Sequence, residues 1–99
     1  MGNSSRSAAF LIESRLVDAA RGNADACFDL GIAYSSGAGG VDVDLVEAHK
    51  WFNLSALAGS DRAQQCRAEI AGEMSAREIA AAQRMARAWL SSGPERRAA

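Results

Sequence analysis

The sequence predicts an all-α chain of about five helices, folded as antiparallel hairpins into a short α-solenoid. Three observations carry that reading. Apolar residues recur at three- and four-residue steps through most of the chain. The single proline, Pro94, stands past the last such stretch. Glycines interrupt the periodicity at Gly22, from Gly37 to Gly40, and at Gly59, where helices would stop.

A first helix is expected from Ser5 to Ala20, with Ala9, Ile12, Leu16, Ala19 and Ala20 inward. Gly22 ends it, and Asn23 can open the next. A second helix covers Ala24 to Ser35, with Ala26, Leu30, Ala33 and Tyr34 on one side. Gly31 lies inside that helix at a cost of about 1 kcal/mol relative to alanine. Close approach of a neighbouring helix is the expected compensation. Gly37-Ala38-Gly39-Gly40 then breaks the helix, Val41 is expected to tuck under the loop, and Asp42 or Asp44 can cap the third helix.

The third helix, from Asp44 to Ala58, carries two apolar stripes. One is Leu45, Ala48, Phe52, Ser55 and Ala56, and the other is Trp51, Leu54 and Ala58. A helix apolar on two faces is packed from both sides. A fourth helix spans Asp61 to Glu73, with Ala63, Cys66, Ile70 and Met74 inward. Ser75-Ala76-Arg77-Glu78 has the form of a capping box, which opens a fifth helix with Ile79, Ala82, Ala86, Trp89 and Leu90 on one side. Trp89 and Leu90 are expected to complete the core, since aromatics dominate small cores, the alternative being a contact with another subunit.

A shift of 37 residues lays Ala19 on Ala56, Gly22 on Gly59 and Ala26 on Ala63. A period in the high thirties belongs to helical-hairpin repeats. Between these joints stand Ala24, Ala26, Leu30-Gly31, Tyr34, Gly37-Ala38-Gly39, Val41, Asp44, Ala48, Trp51-Phe52, Ala56 and Gly59. In order and spacing this resembles the Sel1-like repeat family, relatives of the tetratricopeptide repeats. The resemblance covers residues 24–59 as one complete repeat, with looser half-repeats at 5–22 and 60–91 acting as caps. Gly40 is an extra loop residue, Phe52 stands where the family has tyrosine, and Glu47 stands where lysine is frequent, a change expected to matter little on an exposed face. The resemblance implies a non-enzymatic adaptor that presents a helical surface to a partner protein.

Ninety-nine residues allow one small domain, placed at 1–93, with 94–99 expected to be a disordered tail. A formal charge of −1 argues against a broad footprint for nucleic acid or anionic membrane. No apolar run is long enough to span a bilayer, and Glu13 cuts short the apolar segment that a secretory leader would need. The expected location is cytoplasmic, with Cys27 and Cys66 as reduced thiols serving as small hydrophobes. The expected state is a monomer or weak homodimer.

Candidate chemistry is sparse. His49 is the only histidine, and the sequence reads it as a partly exposed helix residue. An enzyme or ligand-binding domain built on His49 and a cysteine is the alternative, but no spacing assembles a nucleophile, a base and an orienting acid. No metal-ligand spacing and no phosphate-binding loop occurs, so neither a metal nor a cofactor is expected. The aspartates at 25, 29, 42 and 44 read as caps and solvated faces.

Two surfaces remain as partner-binding candidates. Asp25, Asp29, Ile32 and Ser36 share the side of the second helix opposite Ala26, Leu30 and Ala33. Arg77, Arg84 and Arg87 lie on the fifth helix. A self-assembling structural unit is the third reading.

Overall fold

Five α-helices form in the expected order: α1 Asn3–Ala20, α2 Ala24–Ser36, α3 Leu45–Leu57, α4 Asp61–Ala71 and α5 Ala76–Ser91. A computed structural model describes residues 3–93, with side chains from Leu11 onward. The expectation that the Ala9 side chain is inward and the expectation for the tail at 94–99 lie outside what is described. No strand occurs among the described residues.

Capping chemistry explains the boundaries. Asn23, Ser60 and Asp44 each accept a backbone N–H three residues on, from Ala26, Ala63 and Glu47. Ser75 and Glu78 close a reciprocal capping box, with bonds of 3.1 and 2.9 Å. Each supplies a partner to an N–H that the helix itself leaves open.

The α1–α2 and α3–α4 joints are the same structure. In the first, the Asn23 N–H donates to Asp18 C=O and the Gly22 N–H to Ala19 C=O. In the second, the Ser60 N–H donates to Ser55 C=O and the Gly59 N–H to Ala56 C=O. Both are Schellman motifs. They need a left-handed residue next to last, and Gly22 and Gly59 supply it at φ 84° and 113°. The residue that completes each motif is the N-cap of the next helix. The α2 helix ends differently, on Gly37 alone, whose N–H returns to Ala33 C=O. A short 3-10 turn, Ala38–Gly40, comes next. Val41 there is half-buried, and Asp44, not Asp42, is the cap of α3.

The core sits on both sides of α3. On one side Trp51 and Leu54 pack with Ala19, Ala26, Cys27, Leu30 and Ala86. Trp89 joins them edge-on to Trp51, with ring centroids 4.9 Å apart. On the other side Ala48 and Phe52 pack with Ala63, and Phe28, Cys66 and Ile70 flank them. Gly31 has a specific role between the two: a Cβ there would lie 2.5 Å from the Phe52 ring. Close approach of α2 and α3 therefore requires glycine at 31. The buried Ser55 hydroxyl donates to Ala24 C=O at 2.7 Å and ties the same two helices at their other end.

Four expectations need correction. Ala58 and Leu90 are exposed, not inward, because both lie at helix ends where no further helix covers them. Glu47 is not a bystander on an open face: its carboxylate pairs with Lys50 at 3.0 Å and accepts the Trp51 indole N–H at 3.3 Å. Lys50 in turn lies 4.4 Å above the Trp51 ring. Finally, α4 and α5 barely touch each other, and both pack on α3.

Candidate interaction surface

On α2, Leu30 and Gly31 turn into the core, so residues 25, 29, 32 and 36 turn out. Asp25, Asp29, Ile32 and Ser36 are all exposed there. Ser36 is committed to the chain itself: its hydroxyl donates to Ile32 C=O at 2.7 Å and accepts the Ala38 N–H at 3.2 Å. Asp25 lies in the first turn of α2, where a carboxylate complements the helix dipole.

Asp29 links two helices. Its carboxylate receives Arg15 Nε from α1 at 3.0 Å, and Arg15 also lies 3.8 Å from Asp18. These side chains are about 40–50 % exposed, so their contribution to stability is small. Their effect is geometric, since they hold one end of a groove between α1 and α2. The groove encloses about 210 Å³. Leu11 and Ile12 form its α1 wall, Ile32 and Ala33 its α2 wall, and Ala38 and Gly39 its far end. Leu11 is 54 % exposed and Ile32 37 %.

Sequence reasoning found Asp29 and Ile32 but missed Leu11 and Arg15. No local pattern marks them: both lie off the Ile12–Leu16–Ala19 stripe, and only the packing of α1 on α2 brings them to the groove. The basic trio lies elsewhere. Arg77, Arg84 and Arg87 are all exposed on α5, and none is ion-paired with a described residue.

His49 reverses its expectation. It is 3 % exposed, and its Nδ1 has no hydrogen-bond partner among the described residues. Burial pushes its pKa down, and the Arg67 guanidinium adds to the shift. A neutral imidazole is the form the fold accepts. Arg67, from α4, donates to Asn53 one turn along α3, so the two helices share a polar contact beside His49. Tyr34 is affected in the opposite sense: burial first, then Glu47 and Asp44, raise its phenol pKa.

Neither cysteine is disulfide-bonded. They belong to different parts of the core, Cys27 beside Trp51 and Cys66 beside Phe52. Cys27 also walls a second, apolar cavity of about 160 Å³ with Leu54, Leu57, Trp89 and Leu90. No group of three metal-capable side chains occurs among the described residues. No helix among them is long and apolar enough to cross a membrane. Comparison with known proteins finds no matching family model, no matching curated protein and no matching solved structure.

Proposed function

We propose that this chain is a non-enzymatic protein-binding module, a short Sel1-like α-solenoid that receives a partner in the groove between α1 and α2. The groove carries the reading: two exposed aliphatic side chains, Leu11 and Ile32, face each other beside a fixed Arg15–Asp29 pair. A few apolar anchors within a polar rim are the usual make-up of a binding patch. The identical α1–α2 and α3–α4 joints support the repeat reading, because they recur at the 37-residue shift seen in the sequence. A rigid groove lowers the ordering cost of binding. A cytoplasmic setting agrees with two cysteines left as thiols.

Affinity capture from a native lysate, run with wild type, Ile32→Asp and Arg84→Glu, tests this function. The bound protein should vanish with Ile32→Asp and persist with Arg84→Glu. Capture that survives Ile32→Asp would remove the groove from consideration.

A further inference from the structure

The short joints between helices are not built alike. Those at Gly22 and Gly59 reverse the chain through a left-handed glycine. The connection from α4 to α5, residues 72–75, contains no residue of positive φ. Gly72 stays right-handed at φ −63° and ψ −19°. The N–H groups of Gly72, Glu73 and Met74 still donate three residues back, to the C=O groups of Glu69, Ile70 and Ala71. Helical turns thus run on as far as Met74. Ser75 is extended, with a φ of −76° that suits a helix and a ψ of 161° that does not. The Ser75–Glu78 capping box holds the bend there.

With Ser75 turned helical, residues 61–91 would form one helix about 46 Å long. Backbone hydrogen bonds would continue through the turn, and the two capping bonds would be lost. Because α4 and α5 hardly touch, straightening breaks almost no packing between them. It does lift α5 off its seat. Cys66 to Ala82 and Ile70 to Ala86 are each sixteen residues, which at about 100° per residue sets the α5 stripe about 160° from the α4 stripe. While α4 stays on its own α3, Ala82, Ala86 and Trp89 would face away from it. One surface already fits that stripe. It is the seat beneath α5, where Ala86 and Trp89 meet Cys27, Leu30, Trp51 and Leu54. In a second copy opened the same way, that seat is vacant.

We propose that the 72–75 turn is a hinge through which two copies of this chain exchange α5, each α5 taking the other's seat. The exchange is reciprocal, so the dimer is two-fold and closed. The contacts between α3 and α5 are kept. Monomer and dimer then differ by two turns and by the entropy of association. The α1–α2 groove takes no part, since none of its walls comes from α4 or α5.

Refolding the full chain from urea at rising protein concentration, followed by size-exclusion chromatography with light scattering, tests it. Wild type should give monomer and dimer and nothing larger, the dimer fraction growing with concentration. Ser75→Ala removes a cap that only the bent form uses, and each dimer straightens two turns, so the apparent dimer Kd should fall by about tenfold or more. Inserting Gly-Ser-Gly between Met74 and Ser75 keeps the capping box but breaks the long helix, and should raise that Kd by about tenfold or more. If wild type and Ser75→Ala both stay monomeric at every concentration, the proposal is overturned. A dimer that neither change moves is a surface contact and overturns it too, as does growth past dimer or a dimer that Ile32→Asp abolishes.

Discussion

Two consecutive helix pairs in this chain adopt opposite plans. The α2 and α3 helices lie flank to flank, with Gly31 under the Phe52 ring and Ser55 bonded to Ala24. The α4 and α5 helices are joined by a shorter connection, residues 72–75 against 37–44, yet each is held by α3 and hardly at all by the other. The apolar stripes account for the difference. α4 has one, Ala63 with Cys66 and Ile70, and α5 has one, Ala82 and Ala86 with Trp89. A helix with one stripe can bury it against one neighbour. α3 has two, so it gathers α2, α4 and α5 around it, while α1 packs on α2. Adjacency in sequence decided the partner for α2 and α3 and was overruled for α4 and α5.

Removing Trp51 should break both plans together. It is 1 % exposed and touches the hairpin core as well as Trp89. Trp51→Ala is expected to cost about 3–5 kcal/mol, read as a drop in urea midpoint. A loss under about 1 kcal/mol would mean that α3 is not the centre of the fold. Gly31→Ala attacks the hairpin alone, with an expected cost of about 1–3 kcal/mol from overpacking against Phe52. Adding Phe52→Leu should recover part of that loss, because the two positions share one space. Simple additivity in that double-mutant cycle would contradict the close approach. Ser55→Ala leaves Ala24 C=O without its buried donor, and about 1–2 kcal/mol of stability should go with it. The near-ultraviolet signal of the Trp51–Trp89 pair should meanwhile stay as in wild type.

The smallest effect sharpens the α3–α4 contact. His49 has a lower pKa folded than unfolded, so the unfolded chain binds the proton first as pH falls. Stability should therefore be level above about pH 7 and decline as pH drops through the ordinary histidine range near 6.5. His49→Gln should flatten that part of the profile. An unchanged slope would place the acid sensitivity elsewhere.

Helix boundaries were legible because capping residues declare them. Asn23 and Ser75 occupy the N-caps that the sequence marks, and the glycine stops at Gly22 and Gly59 fall where expected. Gly31 was legible as a close approach, though Phe52 as the reason was not. The features that could not be read depend on which helix covers which. His49 is buried because its side of α3 is covered together with Ala48 and Phe52, and no local pattern records that. Leu90 looked like core because it adjoins Trp89, but the stripe ends before it. Half of the groove was visible on α2. The other half, Leu11 and Arg15, needed the packing of α1 against α2 to bring residues 14 and 21 positions away beside Asp29 and Ile32.

At each matched joint, one residue belongs to two helices. The backbone N–H of Asn23 or Ser60 finishes the helix behind, while its side chain starts the helix ahead. Such a joint has no slack. Inserting one residue after Gly22 should separate the two roles and free the angle between helices, whereas the glycine loop at 37–40 should absorb the same insertion. The joint is also a natural splice point. A 37-residue segment cut at Asn23 and at Ser60 carries its own ending and its own beginning, and could be duplicated in tandem without a new linker.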